Sequence, residues 1–150
     1  MKLPLPLSVE SLIDIFNKDI YLVEYDMYTL KHYLEREIID YKKYIKFNDE
    51  KYCKNLLYRN RIYEIYLICW KPNQKTNLHK HPENGCLMKI LEGELKEERV
   101  YWGAIKEKIL KKNNISFIKG REEHIIENIS DKNAVSIHIY SPPRFYDSKI

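Results

Sequence analysis

Apolar positions follow two different periods along this chain. Over roughly the first sixty residues they recur three or four apart, the spacing of a helix stripe. Ser8 stands as a cap for a short helix carrying Leu12, Ile15 and Phe16, and Met27, Leu30, Leu34, Ile38, Tyr41 and Ile45 predict a longer one. Asp49 is expected to cap a third short helix reaching about Tyr58. From Arg61 the period falls towards two. RIYEIYLICW is rich in β-branched and aromatic residues, and KPNQ behind it supplies turn chemistry. Glu92-Gly93, Asn113-Asn114 and Lys119-Gly120 then break successive extended runs. No helical pattern separates these runs, so the crossovers that a parallel sheet needs are missing. The expectation is a mostly β protein: an antiparallel sandwich or barrel over about residues 61–143, a helical flank over about 1–58, and a single domain spanning 1–150.

Composition narrows the partners. With 150 residues and 44% hydrophobic side chains the chain can bury one ordinary core. Its formal charge of +4, from 26 basic and 22 acidic residues, is spread along the chain rather than clustered, which argues against a nucleic-acid or anionic-membrane surface. Pro4 and Pro6 interrupt the stretch where a signal peptide would need continuous apolar residues, and no later run is long enough to cross a bilayer. Cys53, Cys69 and Cys86, odd in number and without close spacing, predict free thiols in a reducing compartment. The composition therefore suggests a soluble, cytoplasmic protein with no nucleic-acid or membrane partner, expected to be a monomer.

Four of the five histidines lie in the strand-rich half. His79 and His81 form an H-x-H pair, and residues two apart on an extended strand project from the same face, so their imidazoles can meet one ion. Such a pair also arises on a solvated strand, and His124 alone is an ordinary residue. In AVSIHIYSPP, Ser136, His138 and Tyr140 share one face while Val135, Ile137 and Ile139 share the other. That pattern suits a strand with a polar face towards a pocket and an aliphatic face beneath the helices, or equally an edge strand facing solvent. Tyr66, Trp70, Met88, Ile90 and Phe117 are candidates for barrel lining or packing and are assigned no function.

The strings HKHPENGCLMKILEG and GREEHIIEN resemble the two motifs of the cupin superfamily, H-x-H with a downstream glycine and H-x-x-x-N. The usual cupin glutamate after H-x-H is absent and Cys86 stands near its place. Together with LICW and SIHIYSPP, this is similar to the cysteine dioxygenase family over about residues 52–143. The resemblance implies a cupin-type antiparallel β-barrel, or jelly roll, and Fe(II) held by His79, His81 and His124. It also implies a hydrogen-bonded Ser136-His138-Tyr140 relay beside the metal, with His138 orienting Tyr140 rather than binding the ion. Cys86 aligns with the cysteine that many family members join to the tyrosine matching Tyr140, which implies a thioether crosslink in part of the population. Gly85 sits one residue away from a place where uncrosslinked members carry glycine, but the distance from Cys86 to Gly93 favours Cys86.

Substrate recognition departs from the family pattern. Its Y-x-R-N stretch falls on Tyr52-Cys53-Lys54-Asn55, so lysine replaces the arginine that anchors the substrate carboxylate. Lys54 supplies a point charge without a planar fork, and Arg59 could serve instead if the segment slides. The implied activity is oxidation of L-cysteine to its sulfinic acid with dioxygen. Another small thiol such as 3-mercaptopropionate, or a cupin that binds a metal or ligand without turnover, are the alternatives.

Overall fold

The computed structural model describes residues 5–147; Pro4, read as breaking a signal-peptide stretch, lies outside them. Two short strands, β1 (Leu7–Ser8) and β2 (Ile38–Ile39), pair in parallel within the N-terminal flank. Between them run α1 (Val9–Lys18), α2 (Ile20–Asp26), a 3₁₀ turn (Met27–Leu30) and α3 (Lys31–Leu34). Eight strands follow: β3 (Cys53–Arg59), β4 (Glu64–Trp70), β5 (Gly85–Glu92), β6 (Glu94–Tyr101), β7 (Ala104–Lys111), β8 (Ile115–Ile118), β9 (Glu123–Glu127) and β10 (Ala134–Ser141). They form a five-stranded sheet in the order β3-β4-β10-β5-β8 and a three-stranded sheet in the order β7-β6-β9, with every pairing antiparallel.

The expected cap at Ser8 is present, its side chain accepting from Ser11 N at 3.0 Å, and Leu12 and Phe16 are buried. The predicted turns at Lys71–Gln74, Glu92-Gly93, Asn113-Asn114 and Lys119-Gly120 all separate extended segments. Gly93 needs its glycine: it sits at φ +74°, and a Cβ there would come within 2.6 Å of Asn133 O.

Two expectations are corrected. The long helix over Met27–Ile45 breaks after Leu34 because backbone pairing with the N-terminal segment replaces helical hydrogen bonds. Leu7 N donates to Glu37 O at 2.7 Å, Leu7 and Ser8 pair with Ile38 and Ile39, and the Arg36 side chain adds a bond from Nε to Leu5 O at 2.7 Å. Its apolar stripe is used all the same, since Met27, Leu30, Leu34 and Ile38 are buried in one cluster. The third helix, from Asp49 to about Tyr58, is instead strand β3, so the barrel begins at Cys53 rather than at 61. β3 is an edge strand with a register shift between Leu56 and Tyr58, which erases the alternation that identifies a strand.

The five-stranded sheet is covered on both faces. One face, with Ile65, Leu67, Leu87, Val135, Ile137 and Ile139, packs under the helices together with Leu12, Phe16 and Leu30. The other packs against the three-stranded sheet through Ile68, Met88, Ile90, Leu95, Leu110 and Ile126. β10 lies at the centre, and all eight of its residues are buried. Burying each of its aliphatic side chains contributes about 1.5–3 kcal/mol.

Candidate metal centre and pocket

Backbone pairing brings the three histidines together. His79 and His124 exchange N–H···O bonds of 3.2 Å, an isolated antiparallel bridge between the segment before β5 and strand β9, and His81 N donates to Gly120 O at 3.0 Å. His79 and His81 then project from one side of their segment, as their spacing requires. The His124 Nε2 atom lies 2.9 Å from His81 Nε2 and 3.0 Å from His79 Nε2. His81 and His124 are buried and His79 is half-buried.

The protonation state of these rings follows from their other nitrogens. His79 Nδ1 meets Asn77 O at 2.8 Å, His81 Nδ1 meets Glu122 O at 2.9 Å, and His124 Nδ1 meets the Glu97 carboxylate at 2.8 Å. All three partners only accept, so each Nδ1 carries the proton. Burial holds the rings neutral, lowering His79 to about 4 and His81 to about 3; His124 is lowered as well, burial outweighing the pull of Glu97. Each Nε2 therefore presents a bare lone pair, and three lone pairs converge with no proton to share. That donor set fits a cation. Its spacing of 2.9 and 3.0 Å matches adjacent nitrogens on an octahedral ion at bond lengths of about 2.1 Å.

A second array borders the first. Along β10, Ser136, His138 and Tyr140 point into the pocket side of the sheet while Val135, Ile137 and Ile139 join the helix-side core. Trp70 Nε1 donates to Ser136 Oγ at 2.9 Å, Ser136 Oγ and His138 Nε2 are 2.7 Å apart, and His138 Nδ1 and Tyr140 Oη are 3.2 Å apart. In one tautomer the Ser136 hydroxyl donates to Nε2 and Nδ1 donates to the phenol oxygen. In the other the phenol donates to Nδ1. Burial keeps His138 neutral, far below its ordinary range, and raises the Tyr140 phenol far above its own. Cys86 is the direct cross-strand partner of Tyr140, with its Sγ 4.0 Å from His138 Nδ1 and its thiol pushed up by burial.

The pocket wall carries cationic and aromatic groups. Lys54 Nζ lies 4.5 Å from the Tyr66 ring centre, 4.6 Å from that of Tyr146 and 5.4 Å from that of Tyr140. Burial lowers its pKa from the ordinary lysine value. Tyr52 stacks on Trp70 at 4.8 Å. Arg59 is turned to other work: it bonds Glu64 at 2.7 Å, Tyr66 Oη at 2.8 Å and Asp147 at 3.6 Å.

A sequence model described as cysteine dioxygenase type I matches residues 4–148. The chain belongs to this cysteine dioxygenase family. It is 29% identical over 147 residues to cysteine dioxygenase type 1 of Danio rerio, covering 90% of this chain and 73% of that one. Against the Homo sapiens protein of the same name the figures are 32% over 120 residues, 73% of this chain and 60% of that one, so the chain spans about three fifths of that relative's length. A crystal structure from Klebsiella pneumoniae, of an uncharacterized conserved protein with a double-stranded β-helix domain, superposes with a TM-score of 0.61 at 17% identity, covering 71% of this chain and 90% of that one. The fold is thus the cupin double-stranded β-helix, and the family places the chain among thiol dioxygenase enzymes.

Within this family member, the structure brings His79, His81 and His124 together, and the Tyr146 ring, 5.9 Å from His79 and 5.5 Å from Tyr140, links them to the Ser136–His138–Tyr140 array, with Lys54 over the Tyr140 and Tyr146 rings; Arg59 instead bonds Tyr66 Oη. Three neighbours of the site escaped sequence reasoning. Glu97 on β6 is buried and ionised, lowered to about 2 by His124 and by Arg99 against the opposing effect of burial. Arg99 clamps it at 3.1 Å and reaches Ser116 Oγ at 2.7 Å. Their spacing with buried Leu95 is a period of two, a signal hidden in the charged run LKEER. Tyr146, beyond the expected end of the barrel, donates to Lys80 O at 2.8 Å and sets its ring 5.9 Å from His79 and 5.5 Å from Tyr140.

Proposed function

We propose that the chain is a mononuclear non-haem Fe(II) dioxygenase that oxidises L-cysteine to cysteine sulfinic acid with O2, acting in the cytoplasm as a monomer. The observation that carries this reading is the convergence of three neutral imidazole lone pairs beside the Cys86–Tyr140 pair. His79, His81 and His124 would hold the ion. Bound there, iron supplies a site where a thiolate and dioxygen react while three neutral ligands leave its charge unreduced.

The protein's own part is positioning. Lys54 is placed to face the substrate carboxylate, and its amine above three tyrosine rings is less solvated than a surface lysine, which strengthens its attraction for an anion. Tyr140 presents its phenol to the substrate, and the Ser136–His138 pair sets which proton the phenol keeps. A thioether between Cys86 Sγ and the Tyr140 ring would fix the phenol without side-chain entropy to lose at each turnover. The cross-strand register supports it. Free thiols at Cys53, Cys69 and Cys86 suit a reducing cytoplasm.

Lysine in place of the family's arginine favours a second reading, in which the substrate is another small carboxylate thiol such as 3-mercaptopropionate. Anaerobic purification with metal analysis, then oxygen uptake across a panel of thiols, tests both. One equivalent of iron and fastest uptake with cysteine are expected. Preference for 3-mercaptopropionate would move the assignment to the second reading. Bound iron without uptake for any thiol would make the chain a binding cupin.

A further inference from the structure

Cys53 and Cys69 are direct cross-strand partners on β3 and β4. Opposed residues of an antiparallel pair have Cα atoms about 4.5–5.5 Å apart, inside the span of about 4.4–6.8 Å that a disulfide bridges. Their side chains share one face of the sheet, and a single amide touches both: Asn55 Oδ1 accepts from Cys53 Sγ at 3.5 Å while Asn55 Nδ2 donates to Cys69 Sγ at 3.7 Å. The two sulfurs differ in access. Cys69 is buried, whereas Cys53 is half-buried and lines an open cavity of about 300 Å3 with Asn48, Lys51, Tyr52 and Lys54. That opening gives a small disulfide a route to the Cys53 sulfur. Cys86 belongs to the other core cluster, on the pocket side of the sheet, and is not part of this pair.

We infer that Cys53 and Cys69 form a reversible disulfide site that exchanges with low-molecular-weight disulfides, the oxidised counterparts of small thiols. The Cys53 sulfur, as thiolate, attacks one sulfur of the small disulfide and expels one thiolate, leaving a mixed disulfide. Cys69 then loses its proton, its sulfur attacks the Cys53 sulfur, and the second small thiolate leaves. Two S–H bonds of the protein become one S–S bond, the small disulfide is reduced by two electrons to two thiols, and the two protons end on those thiols. The bridge fastens β3, an edge strand whose sheet neighbour is β4, one residue before Lys54. It thereby couples the thiol–disulfide balance around the protein to the strand that bears a wall of the pocket. This inference is independent of the metal and of the substrate assigned above.

The test uses the full chain in glutathione buffers of rising disulfide fraction, with acid quenching, alkylation and peptide mapping. A peptide linking Cys53 to Cys69, lighter by two hydrogens and rising with the oxidised fraction, is expected, and reduced glutathione should reverse it. In Cys69→Ala the resolving thiol is gone, so a glutathione adduct should accumulate on Cys53. Only an adduct on Cys53 in the unmodified sequence, a linkage through Cys86, or no linkage at any buffer ratio overturns the proposal. Because mapping of the unmodified sequence decides it, a variant that fails to fold leaves the outcome intact, and oxygen uptake plays no part in the readout.

Discussion

Replacing Glu97 with glutamine probes whether the groups behind the histidines govern metal affinity. The carboxylate is 3% exposed and its neighbours are all donors: His124 Nδ1–H at 2.8 Å, Arg99 Nε–H at 3.1 Å, and the Ser116 hydroxyl at 3.2 and 3.3 Å from its two oxygens. Glutamine keeps the shape but offers one acceptor, and its amide N–H groups face donors. A hydrogen bond to a charged group is worth about 1.5–3 kcal/mol, and about 1.4 kcal/mol corresponds to a factor of ten. Loss of the His124 contact should therefore weaken metal binding roughly 10- to 100-fold, the range common for groups that orient ligating histidines. The assay is anaerobic competition between apo-protein and a chromophoric chelator for Fe(II), with circular dichroism to check the fold. A folded Glu97→Gln protein that binds iron within about threefold of the parent would refute the reasoning.

Three further outcomes follow from the same geometry. His124→Ala should abolish iron retention and oxygen uptake together, measured by metal analysis and an oxygen electrode; uptake that survives would remove it from the ligand set. Tyr140→Phe should retain iron yet slow turnover by roughly a hundredfold or more, and should collapse any crosslinked and uncrosslinked pair of bands on a reducing denaturing gel to one. For Lys54, the amine binds a carboxylate only while protonated, and burial lowers its pKa. KM for a carboxylate thiol should hence climb with pH before a solvated lysine would lose its charge, and Lys54→Arg should flatten that climb. An identical alkaline limb in both proteins would separate Lys54 from substrate binding.

What the sequence disclosed depended on whether a residue's burial matched its chemistry. β4 and β10 were legible because period-two aliphatics coincide with a two-faced strand, and the H-x-H pair because chelation demands that spacing. β3 was not, since Lys54, Asn55 and Arg59 are polar residues on a strand whose register shift removes alternation. The stripe from Met27 to Ile45 was read wrongly as one continuous helix although Met27, Leu30, Leu34 and Ile38 are core, because periodicity reports which side chains are buried and not which backbone partner they find. Glu97 and Arg99 pass as solvated charges in a run of four polar letters. Only the three-dimensional pairing of β6 with β9, which sets Arg99 opposite His124, reveals that they face inward.

The central strand β10 separates two tasks by parity. Odd positions 135, 137 and 139 anchor the sheet beneath the helices, and even positions 136, 138 and 140 carry the hydrogen-bonded array to which the proposed function assigns the chemistry. Natural drift or laboratory evolution can accordingly retune heat tolerance through the odd set while leaving reactivity alone, and retune reactivity through the even set. An insertion or deletion of a single residue within the strand sacrifices both at once, so length here should be far less negotiable than identity.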